Sequence, residues 1–576
     1  MTNTVNDTLS LAATHFKLDP EALDWVSATI SRMSWQDKLR QLFCLLQVGD
    51  DVAEAESTAS FRPGSIFRAP GPDPETAWRA THAAQMSSVV PLLIAGDLEG
   101  GHAHPSCLSS VPNALAVAAA DDTELTLSFY SSMASEARAL GFNWTFGPVV
   151  DINSAWRSAI VGTRSYGSDV SRVLRHASAY VRAMQAAGIG CTAKHWPGEG
   201  QDDRDQHLVV THNPQSREEW EDSYGRLYRG LISEGVMSVM PAHISLPAWQ
   251  VESPGRPASV CSDLTQGLLR ERLGFQGLIT SDATPMGGLA GWAPRDVVVP
   301  SVIAAGCDVM LFSHSPEEDL TLLQRALESG ALAESRIDAA VTRQLAMKAA
   351  LGLHRVSSAN ASTRVQLDKG QAEEVRVSVQ SVARKAVTIV KQAPDVLPID
   401  VKRHRRIVVM EQQGDPMLPG LPEPSIEPLL QALRERGFEP RRHERNTPVV
   451  SADTDLLLYV LTQESTLTRS HIQVDWRQLH GDFPFSMLRW WHDVPTIMVS
   501  FGHPFHIYEA PQVPTYLNAY SCVPPMQLAV VDAITGASAI SGRSPVDMSC
   551  GLPASAFASA TQNARTLTNK LRENND

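Results

Sequence analysis

The sequence is poor in cysteine, has no long apolar run and carries no excess of positive charge. Its seven cysteines among 576 residues form no C-x-x-C pair, which predicts reduced, mostly buried thiols rather than a disulfide framework. No window approaches the roughly 18 apolar residues of a membrane-spanning helix. The net charge of −14 argues against a nucleic-acid partner. The N-terminus shows no basic start followed by an apolar block, so we expect no secretory signal and a cytoplasmic protein.

Short apolar runs recur through the first 315 residues, and most are continuous rather than alternating. Such runs are typical of parallel strands that are buried on both faces. Eight of them begin at residues 41, 64, 91, 143, 189, 236, 277 and 307. Amphipathic helical stretches separate many of these runs, and two of the helices should end at Gly141 and Gly188. The alternation predicts an N-terminal (β/α)8 TIM-like barrel over residues 1–354.

A second unit is predicted over residues 386–576. Its runs “RKAVTIVKQ”, “HRRIVVMEQ”, “DTDLLLYVLT” and “VPTIMVSFG” resemble parallel strands, with helical stretches between them. This pattern predicts a C-terminal three-layer α/β/α sandwich. Residues 355–385 begin with a polar tract that lacks an apolar period, so we interpret this segment as a linker.

Polar side chains follow several of the predicted barrel strands. In a (β/α)8 barrel the chemistry lies at the carboxyl ends of the strands, so these residues should face one mouth. Taken singly, each could instead cap a helix or pair with an arginine. Their convergence is what indicates a functional site. The residues are Asp97, Glu99, Asp151, Asn153, Lys194, His195, His243 and Asp282.

The stretch “AKHWPGEGQDDRDQH”, residues 193–207, holds eight titratable side chains: two histidines, four carboxylates, one lysine and one arginine. A proline and two glycines break regular structure, which predicts a loop over the mouth. Asp205 and His207 are close enough for the carboxylate to orient the imidazole for proton transfer. Two other interpretations stay open: a solvated acidic loop, and a metal site of His195, Glu199 and His207. The spacing of that trio matches no common metal motif.

These motifs, in this order and spacing, resemble glycoside hydrolase family 3, and within it the two-domain β-N-acetylglucosaminidase (β-hexosaminidase) branch. The branch pattern Lys-His-Phe-Pro-Gly-His-Gly, four residues, Asp-Ser-His is similar to “KHWPGEG”, four residues, “DQH”. Further matches are “DLEGG” from Asp97, “FGPVVD” from Phe146, “RSYGSD” from Arg164, “LITSDATPMGG” from Leu278 and “VIAAGCDVMLF” from Val302. The resemblance covers most of the first 350 residues and continues in “SFGHPFHIYEAPQVPTYLNAYS” of the second unit.

The resemblance implies a role for each matching residue. Asp282 would be the catalytic nucleophile, His207 the general acid/base and Asp205 its dyad partner. The residues implied to hold the sugar hydroxyls are Asp97, Arg164, Lys194 and His195. The implied reaction is retaining cleavage through a covalent glycosyl-Asp intermediate, with no metal or organic cofactor.

Four departures from the branch pattern surround the implied sugar pocket. Glu199 replaces a histidine, Trp196 a phenylalanine and Gln206 a serine, and “HAHP” stands where an arginine is often found after “EGG”. Glu199 would either prefer an amine or hydroxyl on the substrate or pair with Arg204. Neither interpretation is decided by the sequence.

We therefore expect an exo-β-glycosidase that releases terminal β-linked N-acetylglucosamine from a small glycoconjugate such as a cell-wall fragment. Its partner would be a small carbohydrate, with no nucleic acid and no membrane, and a homodimer stays open. Alternatives are a family member that acts on another β-glycoside such as a glucoside, one that uses phosphate as acceptor, a (β/α)8 metalloenzyme, and a carbohydrate-binding protein without catalysis. An intact Asp282, Asp205 and His207 set argues against the last of these.

Overall fold

The computed structural model describes residues 2–251, 253–355, 369–416 and 423–557. Its first ten strands belong to the N-terminal region. They are β1 (Phe43–Val48), β2 (Ser65–Ala69), β3 (Leu93–Gly96), β4 (Trp144–Thr145), β5 (Gly190–Trp196), β6 (Thr211–His212), β7 (Ser238–Pro241), β8 (Ile244–Ser245), β9 (Leu278–Ala283) and β10 (Val309–Leu311).

Eight of these strands form a closed parallel barrel in the order β1-β10-β9-β7-β5-β4-β3-β2. Each predicted apolar run contains one barrel strand, so the predicted (β/α)8 architecture is confirmed. The barrel interior is filled by apolar side chains, as expected for strands buried on both faces. They include Cys44, Phe67, Leu93, Trp144, Phe146, Met240, Leu278, Val309 and Leu311. Strands β6 and β8 form a separate two-stranded ribbon.

Helices surround the barrel, and their ends follow local sequence signals. Ser34 and Asp37 form a reciprocal capping box at the start of the helix Trp35–Gln41, and Gly141 and Gly188 follow two long helices with positive φ values. The principal helices are Thr2–Phe16, Pro20–Arg32, Trp35–Gln41, Val52–Ser60, Pro74–Met86, Ala114–Ala119, Thr123–Ala139, Val170–Ala186, Arg217–Trp220, Arg226–Ser233, Gly287–Ala290, Arg295–Ala305, Pro316–Glu328 and Glu334–Ala350. Asp263–Arg272 is a π-helical segment.

The second region is built on one six-stranded sheet with the order β11-β16-β15-β14-β12-β13. The strands are β11 (Thr388–Lys391), β12 (Arg406–Gln412), β13 (Glu439–Arg442), β14 (Leu456–Leu461), β15 (Thr496–Ser500) and β16 (Thr515–Asn518). Apolar clusters cover both faces of the sheet, and the flanking helices are Glu427–Glu435, Trp476–His480, Phe483–Ser486 and Pro524–Ile534. The predicted three-layer arrangement is confirmed.

Two expectations for this region need correction. Strand β11 runs antiparallel to β16, because a short edge strand entered without a crossover helix is not constrained to be parallel. The predicted linker, residues 355–385, runs into the helix Lys369–Ala386. Val375, Val379 and Val382 recur at helical spacing and are buried against the barrel helices, a period that the preceding polar tract concealed. Residues 356–368 lie outside the described residues.

All seven cysteines are free and buried, as expected. None of the helices in the described ranges combines the length and the apolar character that a bilayer crossing requires.

Candidate active site

A cavity of about 560 Å³ opens at the carboxyl ends of the barrel strands. The ends of β3, β5 and β9 and the loops after β4 and β5 contribute six of the charged and imidazole side chains on its wall. They are Asp97, Arg164, Lys194, His195, His207 and Asp282. The structure thus brings together all the predicted site residues except Asp205, which lies behind His207. The adjacent strands β2, β1 and β10 contribute a mainly apolar arc that includes Leu46, Val48, Phe67, Ala69, Pro70, Leu311 and Phe312.

Glu99 is the shared anion of a buried cluster at the end of β3. Its carboxylate accepts two hydrogen bonds from Arg164, at 2.8 and 2.9 Å, and lies 2.7 Å from Lys194 Nζ. Lys194 also donates to Asp97 at 2.9 Å. Burial opposes ionisation of Glu99, but Arg164 and Lys194 outweigh it and hold the pKa of Glu99 below its usual range. The sequence predicted Lys194 and Arg164 as site residues but assigned no role to Glu99.

His195 is held by the carboxylate of Asp151 behind it. Its Nδ1 lies 2.6 Å from Asp151 Oδ2, so Nε2 is the nitrogen left for the cavity side. Asp151 Oδ1 accepts the backbone N–H groups of His195 and Glu199 at 3.2 and 2.8 Å. This buried carboxylate therefore fixes both the ring and the backbone at the start of the loop.

Asp282 lies at the end of β9 and is half-buried on the cavity wall. Its Oδ1 accepts the Ala283 backbone N–H at 2.7 Å. Burial opposes ionisation, but His195, His243 and His207 outweigh it and lower the pKa of the Asp282 carboxyl. Asp282 is thus an ionised carboxylate that faces an open cavity.

Asp205 and His207 form the predicted pair. Asp205 Oδ1 lies 2.7 Å from His207 Nδ1 and accepts the His207 backbone N–H at 2.8 Å. The loop is tied to the chain after β9, because Gly287 N donates to His207 O at 2.8 Å. Gln206 Oε1 accepts the backbone N–H of His243 at 2.9 Å. The imidazole of His207 is therefore held on the same wall as Asp282.

Glu199 adopts neither of the two predicted roles. Arg204 instead binds Asp202, two residues away, at 2.9 Å, and Glu199 is not on the cavity wall. Its Oε2 accepts from Gln206 Nε2 at 3.1 Å and lies 3.6 Å from His195 Nδ1. Burial, together with Asp151 and Asp205, raises the pKa of Glu199 well above its usual value. The surroundings of Glu199 therefore favour its protonated form.

The possible metal ligands that lie together in the structure differ from the trio that the sequence suggested. The ligand atoms of Asp151, His195 and Glu199 lie within 4.8 Å of one another, and His207 is not among them. The 2.6 Å separation between Asp151 and His195 is that of a hydrogen bond. Two ligands on one tetrahedral zinc ion would be about 3.3 Å apart. We therefore interpret the trio as a hydrogen-bonded cluster.

The second region contributes to the mouth through residues 464–468, called here the interdomain segment, which follows β14. Ser465 Oγ accepts the Thr163 backbone N–H at 2.8 Å, and Leu467 lies on the cavity wall. Thr468 N donates to Asp205 Oδ2 at 2.7 Å. No role was predicted for this segment from the sequence, although it is a polar run directly after a buried strand, the same signal that indicates site residues in the barrel.

Known proteins are similar to this chain in both sequence and architecture. Residues 47–347 match the glycosyl hydrolase family 3 N terminal domain. A “Beta-N-acetylglucosaminidase/beta-glucosidase” of Cellulomonas fimi is 37% identical over 565 residues, which cover 94% of this chain and 99% of that protein. The chain belongs to glycosyl hydrolase family 3. It is a glycosidase, and its substrate is a carbohydrate.

Two solved structures extend the comparison to the fold. The first, “Beta-glucoside phosphorylase BglX bound to 2FGlc”, has a TM-score of 0.85 and 32% identity, and covers 93% of this chain and 98% of its own. The second, a family 3 β-N-acetylglucosaminidase from Paenibacillus sp. str. FPU-7, has a TM-score of 0.77 and 26% identity, and covers 90% of this chain and 99% of its own.

A further relative by sequence is a β-hexosaminidase of Vibrio cholerae serotype O1. It is 33% identical over 245 residues, which cover 42% of this chain and 72% of its own length.

Proposed function

We propose that this glycosidase is a retaining exo-β-glycosidase with Asp282 as nucleophile, His207 as general acid/base and Asp205 as the partner of His207. The observation that supports the proposal is an ionised carboxylate and a carboxylate-paired imidazole on the wall of one cavity. Asp282 attacks the anomeric carbon while the His207 imidazolium gives its proton to the departing oxygen. The neutral imidazole then takes a proton from the acceptor, which displaces Asp282. Asp205 orients the ring and is not itself protonated.

The sugar lies against the charged part of the wall in this proposal. Asp97, Lys194, Arg164 and His195 bind its hydroxyl groups. The two cations are already balanced by Asp97 and Glu99. This balance suits a neutral sugar, which the cluster can bind without leaving a buried charge unpaired.

The proposed substrate carries a terminal β-linked N-acetylglucosamine. The Cellulomonas fimi relative supports this choice, and its name also includes β-glucosidase. A β-glucoside is therefore the alternative substrate. Acceptor choice is a separate question, because a structure at 32% identity is titled a β-glucoside phosphorylase. A neutral imidazole base beside the glycosyl ester adds no negative charge, so an anionic phosphate could also approach.

The test is p-nitrophenol release from the β-N-acetylglucosaminide and the β-glucoside, with wild type and Asp282→Asn, with and without phosphate. We expect turnover of the N-acetyl compound, and a loss of about a thousandfold or more in Asp282→Asn. Turnover of the glucoside alone would refute the sugar assignment and keep the mechanism. A sugar 1-phosphate product would identify phosphate as the acceptor. Equal turnover by both proteins would refute the nucleophile.

A further inference from the structure

The interdomain segment joins two parts of the barrel mouth that are distant in the sequence. Glu464 is buried and accepts from Asn113 Nδ2 at 2.9 Å, and Thr466 N donates to Ala159 O at 3.0 Å. At its other end the segment reaches Asp205. We propose that this segment positions the acid/base dyad through the Thr468 backbone amide. The inference rests on the proposed function and adds a role for the second domain within it.

The Thr468 amide completes the hydrogen bonding of Asp205. One carboxylate oxygen of Asp205 is used by His207, and the other accepts Thr468 N–H at 2.7 Å. Asp205 is only 3% exposed, so a lost donor would not be replaced readily by bulk water. A carboxylate bonded through both oxygens keeps one orientation, and the imidazole bonded to it keeps one as well.

The backbone at Thr468 is held in a conformation that its side chain disfavours. Its φ of 59° lies in the left-handed region, where a β-branched residue costs about 1–3 kcal/mol. Such a conformation persists when neighbouring contacts fix it. Ser465, three residues earlier, supplies contacts that anchor the segment. Its Oγ accepts the Thr163 backbone N–H at 2.8 Å, and its own backbone N–H donates to Thr163 Oγ1 at 3.0 Å. The segment therefore directs the amide at Asp205.

The test displaces the amide and measures proton donation separately from the rest of the reaction. Insertion of one glycine between Leu467 and Thr468 shifts the N–H, and Thr468→Gly is the matched control that keeps it and accepts positive φ. The substrates are a methyl and a 2,4-dinitrophenyl β-glycoside of the preferred sugar. The dinitrophenolate leaves without protonation, whereas the methyl glycoside needs the acid.

We expect the insertion to lower kcat/KM for the methyl glycoside about a hundredfold and for the dinitrophenyl glycoside less than about threefold. Thr468→Gly should change neither by more than about threefold. In an Asp205→Asn background the insertion should add little, because both changes act on one pair. Equal losses on both substrates, or additive losses, would overturn the proposal. If the insertion does not fold, Ser465→Ala, which removes the hydroxyl that anchors the segment on Thr163, is judged by the same ratio. Failure of the proposed function is separate, since it appears as an unchanged Asp282→Asn enzyme.

A second, independent observation is the apolar arc of the cavity, formed by β2, β1 and β10. From it we infer that the leaving group is an apolar aryl or alkyl alcohol. Leu46 and Val48 are 46% and 62% exposed there, so a ligand would cover apolar surface. Arg68, the charged side chain among the arc's described residues, is occupied by Asp50 at 2.8 Å. No free cation on this arc would meet an anionic leaving group.

His104 lies beside this arc without adding a charge to it. It lies on the cavity wall and is only 8% exposed. Neither ring nitrogen has a partner among the described residues. Burial lowers the pKa of His104 to about 3, so the imidazole is neutral.

Methyl, butyl and octyl β-glycosides test this inference, because their leaving alcohols have similar pKa values. We expect kcat/KM to rise up to about fourfold for each methylene that becomes buried. Val48→Asn should flatten this rise, whereas Val89→Asn, an exposed valine outside the cavity, should not. A flat series in wild type would overturn the inference. Asp282-dependent turnover of the methyl glycoside would show that the proposed function still stands.

Discussion

Glu99 and Glu199 are two buried glutamates near the same barrel mouth, and their pKa values are shifted in opposite directions. Both are nearly inaccessible, at 6% and 3% exposure. Glu99 contacts Arg164 and Lys194, which hold it ionised. Glu199 has Asp151 and Asp205 as neighbours, and burial and these carboxylates raise its pKa well above the usual value. Burial alone therefore does not set the charge of a carboxyl group, since the sign of its neighbours decides the outcome.

Glu99→Gln tests the role of the neighbouring cations and should have the largest effect. This change leaves Lys194 and Arg164 with one fewer anion in a desolvated site, so we expect the free energy of unfolding to fall by about 3 kcal/mol or more. Turnover should fall as well, because both cations lose the anchor that orders them. Chemical denaturation measures the first effect and steady-state kinetics the second.

Glu136→Gln is the matched control for that prediction. Glu136 is also buried, and its hydrogen bonds come from the backbone N and Oγ of Ser109 rather than from a cation. Burial raises the pKa of Glu136, so the neutral amide should cost little, about 1 kcal/mol or less. Equal destabilisation by both changes would show that the cations are not the reason for the loss at Glu99.

A smaller effect is expected for Asp151→Asn, which alters both His195 and Glu199. The amide keeps the shape but weakens the bond that orients the His195 ring, so we expect kcat/KM to fall about a hundredfold or less. Thermal unfolding, measured in parallel, separates this loss from reduced stability. The change also removes one of the carboxylates that raise the pKa of Glu199. Unchanged kinetics would mean that Asp151 does not position His195.

The barrel and most of its mouth could be predicted because their signals are local. Continuous apolar runs identified the eight strands, and the residues directly after them, such as Asp97, Lys194 and Asp282, do meet in one cavity. The helix Lys369–Ala386 also has a local period, in Val375, Val379 and Val382, which the polar tract before it concealed.

Contacts between distant segments could not be predicted in this way. Thr468 and Asp205 are 263 positions apart, and no spacing rule connects them. The pKa shift of Glu199 also depends on contacts between distant segments. It depends on Asp151, in the loop after β4, and on the enclosure of its own loop, whereas the sequence presents Arg204 as the obvious partner. Local patterns therefore predict which residues reach the mouth, and long-range packing decides what each one contacts.

The pH dependence of the free energy of unfolding should distinguish Glu199 from Glu99. The folded-state pKa of Glu199 lies well above its unfolded value of about 4.5. Its contribution to stability is therefore fully present below about pH 4.5 and is lost as the pH rises through the folded pKa. Glu199→Gln cannot ionise, so the difference in unfolding free energy, wild type minus variant, should decrease as the pH rises from 4.5.

Denaturant unfolding at several pH values between 4.5 and 8 measures this difference. For Glu99 the pH dependence has the opposite sign. Its folded-state pKa is depressed, so its contribution to stability is present above about pH 4.5 and is lost as the pH falls through the folded-state pKa. Wild type minus Glu99→Gln should therefore be constant from pH 6 to 8, where wild type minus Glu199→Gln still changes. Two flat differences would mean that Glu199 is ionised in the folded protein, and that Arg164 and His195 balance its charge after all.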